Sequence, residues 1–124
     1  MNRSAAFVLL ALAAAMAGAQ TSADKKTEEE KKKLAKLEKT YKEAKSAYTK
    51  TPKDAKKKKA YVDATVKLGT ATMRSPILGP KEKYPKALRY YREALKIDPK
   101  NKEAAANKKT IEDIYKSMGR EIPK

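Results

Sequence analysis

The chain is expected to fold as an all-α protein of four antiparallel helices, and three observations predict this. Apolar residues recur at steps of three and four in four separate stretches, the spacing that gives a helix one greasy face. Proline-containing corners at Thr51-Pro52-Lys53-Asp54 and Asp98-Pro99-Lys100-Asn101 separate two of the junctions, with the prolines 47 positions apart. Pro76, Gly79 and Pro80 break the remaining junction, between the second and third stretches.

The first element in the chain is a leader. Residues 1–19 combine a basic start at Arg3, an apolar run from Ala5 to Ala17 and the small triplet Ala17-Gly18-Ala19, which reads as a secretory signal peptide that directs the chain to the periplasm or outside the cell. The run is shorter than the roughly 20 residues that span a bilayer. The alternative for this run is an uncleaved N-terminal anchor. Residues 20–26 are expected to be a flexible start. Thr27 to Glu30 has the form of a capping box, and Glu28–Lys32 and Glu29–Lys33 are helical pairs in the favourable order. Leu34, Leu37, Tyr41, Ala44 and Tyr48 then form a narrow seam on a first helix over about 27–50. That seam suits packing within the chain, and a self-pairing coiled coil is the alternative.

The second helix is expected over about 54–71, burying Tyr61, Ala64, Leu68 and Ala71, with Lys56 to Lys59 in water. Residues 72–83 hold Pro76, Gly79 and Pro80, which forbid a continuous helix. Met73, Ile77 and Leu78 are too apolar for a free linker, so this loop should fold back on the helices. The third helix has Tyr84, Leu88, Tyr91 and Leu95 with Ala87 and Ala94 on one face. It must stop near Ile97, because Pro99 pushes Asp98 out of helical geometry. Asn101 caps a fourth helix carrying Ala104, Ala105, Ile111, Ile114, Tyr115 and Met118, and Gly119 ends it. Residues 27–119 thus make one helical domain, with 120–124 as a tail.

Composition bounds the chemistry. The 124 residues contain no Cys and no His, so catalytic thiols, disulfides and the commonest transition-metal ligands are absent. No Ser/His/acid set and no glycine-rich phosphate loop is present, and the adjacent Glu112 and Asp113 do not face one another on a helix. An enzyme is the least supported class; no cofactor and no metal is expected. The formal charge is +16, and only Arg3, Arg74, Arg89, Arg92 and Arg120 of the 31 basic residues are arginine. Such an excess favours anionic partners. Lysine is a hydrated point charge, whereas specific phosphate recognition favours the planar arginine fork. Most of this charge is therefore read as a solvated surface, with a polyanion-binding face as the alternative.

The stretch YPKALRYYREALKIDPKNKEA, Tyr84 to Ala104, resembles a tetratricopeptide repeat: a small Ala87, an aromatic Tyr91 four residues on, a second small Ala94 and the corner Pro99. Tyr84, Ala87, Tyr91, Ala94 and Pro99 are the positions that carry the likeness. It is close from Tyr84 to Met118 and looser elsewhere. A family repeat is about 34 residues long, so the 47-residue spacing of the corners puts an insert at 72–83. The glycine common at the eighth repeat position is replaced by Val62 and Lys109, which predicts looser helix packing there.

The resemblance implies about two repeat units in a short α-solenoid and a non-enzymatic protein-interaction module. Its register places Lys56, Lys59, Asp63 and Lys67, then Glu103, Asn107, Thr110 and Ile114, on a concave groove. Some family members clamp a C-terminal carboxylate with Lys and Asn at such places. Lys59 and Asn107 match two of those roles, but Asp63 stands where an Asn is expected, and two such helices are too few for the full clamp. The implied partner is an acidic or extended protein segment. The alternative is a lysine-rich binder of nucleic acid, acidic lipid or cell-wall polymer. Tyr84 and Tyr91 could serve such a binder as stacking platforms, though on a periodic apolar face they read as core.

Overall fold

In the computed structural model, backbone is described from Arg3 to Lys124 and side chains from Thr21 onward. The leader expected at 1–19 lies outside the residues whose side chains are described. The fold is all-α: α1 (Arg3–Lys50), α2 (Ala55–Met73), α3 (Pro80–Ile97) and α4 (Lys102–Ser117). Each packs antiparallel to its neighbour in sequence, and no strand occurs among the described residues. α2 and α3 make the most extensive interface, and α1 lies against α2.

Two boundaries differ from the sequence expectation. Residues 21–26, expected to be a flexible start, are helical, so the capping box does not form. With helix already running ahead of it, Thr27 meets no unpaired N–H, and its hydroxyl donates instead to the Ala23 carbonyl at 3.1 Å. The ion pair in this turn is Glu28 with Lys31, one position nearer than expected. The second difference is the loop. It shrinks from 72–83 to 74–79, because α2 runs on to Met73 and α3 begins at Pro80 with Gly79 as its N-cap. A proline at the first helical position sacrifices no intrahelical bond. Pro85 sits further in and forgoes one bond, to the Lys81 carbonyl.

The loop does fold back. Ser75 is 2 % exposed, and its hydroxyl accepts from the Ile77 N–H at 3.3 Å. The corners follow the expected chemistry. Asp54 accepts from the N–H groups of Lys56 and Lys57, and Asn101 from that of Ala104, each satisfying donors that the first turn leaves open. Asp98 is extended ahead of Pro99. At the end of α4, Gly119 takes φ +65°. There Arg120 N–H donates to Tyr115 and Gly119 N–H to Lys116, the paired bonds of a Schellman cap. The residues beyond are not a free tail, since Ile122 packs on the core.

Val62, Val66, Ala87, Leu88, Tyr91, Ala94, Ala104, Ile111 and Tyr115 form the core, all from α2, α3 and α4. Tyr90 and Val62 are buried although neither lies on the expected stripe, because α2 and α3 are covered on more than one side. Ala71 is only half-buried, and Ala105 and Met118 remain exposed on the open side of α4. Between residues 21 and 50, α1 contributes half-buried residues only: Leu34, Leu37, Tyr41, Ala44 and Tyr48 lie over α2. The seam is thus used within the chain.

Close packing, expected to be loose at Val62, is supplied two turns later by Gly69. A Cβ there would lie 3.0 Å from Cε1 of Tyr91 and 3.3 Å from Cβ of Tyr90, so glycine lets α2 and α3 approach. Gly69→Leu is therefore expected to destabilise the protein by about 1–3 kcal/mol through overpacking, read as a lowered midpoint in urea unfolding. Ala94, 1 % exposed, faces the same constraint with charge added. Ala94→Asp would bury an unpaired carboxylate, and loss of the helical circular dichroism signal is the expected outcome. A mutant as helical and heat-resistant as the parent would contradict this packing.

Candidate functional site

Two polar constellations occupy the helix interfaces, and a cleft lies beside one of them. The first centres on Glu93 of α3, whose side chain is 22 % exposed. Its Oε1 accepts from Tyr61 at 2.6 Å, Lys45 at 2.8 Å and Tyr41 at 2.9 Å, and its Oε2 from Tyr41 at 2.7 Å. One carboxylate therefore joins α1, α2 and α3. The rings around it also touch: Tyr41 meets Tyr90 edge-on at 5.4 Å, and Tyr48 lies 5.1 Å from Tyr61.

Burial alone would raise the Glu93 pKa, but donation from Lys45, Tyr61 and Tyr41 outweighs it and holds the group below its ordinary value. Burial, and then the bond to Glu93, push Tyr41 and Tyr61 upward, so both stay protonated donors near neutrality. The bond to Glu93, and then that to Tyr41, raise Lys45. Each of these groups thus favours the ordinary neutral-pH protonation state of its partners. The arrangement is a fastening for α1.

The second constellation surrounds the hydroxyl of Tyr91. Asn107 Nδ2 donates to it at 3.1 Å, Thr70 Oγ1 lies 2.9 Å away, and Thr70 donates onward to Oε1 of Glu103 at 3.0 Å. Either hydroxyl of the Tyr91–Thr70 pair can donate to the other, and the chain of bonds runs from α4 through α3 and α2 back to α4. Burial raises the Tyr91 pKa, opposed by its bonds to Thr70 and Asn107.

Thr70 and Glu103 stand in the wall of a cleft of about 370 Å³ between α1, α2 and α4. Leu37, Ala71 and Pro76 supply its apolar surface; Lys33, Lys67 and Arg74 its positive charge; Glu30 and Glu103 its negative charge. No carboxylate among the described residues lies within ion-pair distance of Lys33, Lys67 or Arg74.

The residues assigned to a groove from the sequence do not share one depression. Lys67 lines this cleft, and Asn107 stands behind it on Tyr91. Lys59 and Asp63 pair with each other at 3.1 Å at the other end of α2, beside Asp98. Lys56 is exposed in the first turn of α2, and Thr110 is exposed with its hydroxyl donating to the Ala106 carbonyl at 3.0 Å. Of the five signature residues, Ala87, Tyr91 and Ala94 are core, Tyr84 packs against it, and Pro99 is exposed at the corner. Tyr84 and Tyr91 thus serve packing.

The sequence reading missed Glu93, Tyr41 as its donor, and the part of α1 in the cleft. The signal for Glu93 was faint: a lone acid flanked by Arg92 and Ala94 reads as surface until α1 is placed beside α3.

Among the described residues no group of His, Cys, Asp and Glu is arranged to hold a metal, and no helix is long and apolar enough to cross a membrane. Comparison of the chain with protein-family models, with characterised proteins and with solved structures finds no match.

Glu93→Gln should loosen α1 while leaving the other helices packed, because the core contains no α1 residue. Replacing a charged acceptor by a neutral one is expected to cost about 1–2 kcal/mol at this partly open position. Amide hydrogen exchange should quicken over residues 34–48 and stay unchanged over 87–115; uniform quickening would refute the fastening role. The pH dependence follows in sign. Glu93, depressed in the folded state, contributes stability that is complete above the ordinary carboxylate value of 4.5 and is lost as pH falls below it. Tyr41 and Tyr61, raised, contribute stability that is complete below 10.0 and fades as pH rises above it. Tyrosine fluorescence followed from acid to alkali should show α1 release at both ends, and Glu93→Gln should remove the acid limb.

Proposed function

We propose that the chain is a non-enzymatic protein-binding module of the helical-repeat type, exported through its N-terminal leader, with the α1–α2–α4 cleft as its binding site. The observation that carries this reading is the convergence of three cations without a carboxylate partner among the described residues, Lys33, Lys67 and Arg74, around an apolar surface of Leu37, Ala71 and Pro76. Such a surface suits a peptide segment with one apolar side chain flanked by carboxylates. The apolar residue would lie on Leu37 and Ala71, and the carboxylates would reach the lysines and Arg74. Glu30 and Glu103 offset part of the positive charge and would favour a segment that also offers a donor at one end.

The general excess of positive charge would speed the encounter and make it sensitive to salt, while the shape of the cleft would fix the register. Thr70 and Asn107, tied to the Tyr91 hydroxyl, keep that side of the cleft in one conformation before anything binds. Preorganisation of this kind lowers the ordering entropy lost on binding. The tetratricopeptide resemblance, with its concave peptide-binding face, supports the same assignment for Lys67.

The test is a fluorescence-anisotropy titration with a labelled acidic peptide carrying a central leucine. Lys67→Glu with Arg74→Glu should weaken binding at least about tenfold, the scale of one or two charge-assisted contacts, while Lys56→Glu with Lys59→Glu should weaken it only about twofold. Equal losses from the two pairs would mean that attraction is diffuse and that the cleft is not the site.

A further inference from the structure

A second groove, which shares no residue with the cleft, lies along the outer face of α3. It has a volume of about 450 Å³ and is lined by Glu82, Pro85, Lys86, Arg89, Arg92, Pro123 and Lys124. Ile122 packs on the core, and this anchors the last residues as the second wall. Volume in this range is that of a small-molecule site.

Five surface lysines pair with acids one turn away on their own helix: Lys39 with Glu43, Lys42 with Glu38, Lys59 with Asp63, Lys108 with Glu112 and Lys109 with Asp113. In the groove, Lys86, Arg89 and Arg92 follow at intervals of three, and none has a carboxylate within ion-pair distance among the described residues. The positions one turn from Arg89 are Pro85 and Glu93, and the Glu93 carboxylate is already engaged by Lys45, Tyr41 and Tyr61. Those one turn from Arg92 are Leu88 and Lys96. Glu82 is the single acidic side chain in the lining.

What sets this groove apart is the type of basic residue. In a chain with five arginines among 31 basic residues, two stand one turn apart on this groove. The Arg89 guanidinium is steadied 5.8 Å above the Tyr90 ring, and Arg92 is half-buried. Two arginine forks offer paired N–H donors to one anion. A carboxylate, with two oxygens, satisfies one fork. A phosphomonoester, with three terminal oxygens and nearly two charges, engages both and the lysine besides. No aromatic ring lines the groove, so a nucleobase would have no stacking surface.

We propose that the α3 groove binds the phosphomonoester group of a small ligand through Arg89 and Arg92, with Lys86 adding charge. Isotope-edited NMR with phosphoserine as probe tests it, with serine, sulfate, succinate and duplex DNA as comparison arms. Phosphoserine should shift the amides of residues 86–92 and the Nε–H signals of Arg89 and Arg92, and serine should shift none. Arg89→Lys with Arg92→Lys keeps the net charge and the helix while removing both forks, and it should weaken phosphoserine at least about tenfold. The proposal is overturned if the lysine variant binds as the parent does, or if sulfate or succinate binds as tightly as phosphoserine. It is equally overturned if Lys56 to Lys59 respond as strongly as the groove, or if DNA displaces phosphoserine from it. The wild-type selectivity series decides the matter even where the variant fails to fold.

Discussion

The contact between Gly69 and the ring of Tyr91 sets the geometry of everything else. Tyr91 is the largest side chain with no exposure at all, and it can occupy the α2–α3 interface only because α2 presents no side chain at that point. Its ring fills the core while its hydroxyl emerges among Thr70, Asn107 and Glu103. The same residue therefore fixes how closely α2 and α3 approach and where α4 must lie to satisfy the buried phenol. A buried hydroxyl without a partner would be costly. Satisfying it from two helices turns that cost into a positional constraint, and the cleft inherits its shape from it.

Glu93 works differently. Its carboxylate lies at the edge of the core, where α1 crosses, and takes donors from three directions. Residues 21–50 of α1 offer the others a half-buried seam and no fully buried residue, so the hydrophobic contribution of this part is smaller than that of a core helix. The charge-assisted bonds to Glu93 supply direction as well as energy. They pick the rotation of α1 that lays Leu37 over the cleft and brings Lys33 toward Arg74. Fastening and cleft wall thus lie along one stripe of one helix.

How much of this was legible depends on the range of the interaction. The four helices, the Pro52 and Pro99 corners, the Asn101 cap and the Gly119 terminus rest on neighbours within a turn, and the residues announce them. Ala87, Tyr91 and Ala94 were readable because periodicity reports one face of a helix. Tyr90 was not, since a helix covered on several sides buries residues that its pattern marks as surface. The capping box at Thr27 failed because a cap needs a chain that is not helical before it. Pro80 was misread as part of the loop because the same residue opens a helix as readily as it prevents one. Glu93 and the cleft needed α1 placed against α3 at a separation of about fifty residues, information that no local pattern holds. The groove assigned by register scattered along α2 and α4 for the same reason: register orders residues along a helix but does not say which neighbour bends toward them.

The confinement of the core to α2, α3 and α4 also bears on the order in which the chain folds. Nearly all its contacts join helices adjacent in sequence, a topology of low contact order that favours rapid closure. The three-helix unit holds the fully buried core, and α1 is expected to add to it late, as a long segment settling on a surface already made. Interactions formed after the transition state act mainly on the rate of escape from the native state. The seam of α1 and the Glu93 carboxylate would then govern how long the folded protein persists, while Gly69 and Tyr91 govern how fast it is reached.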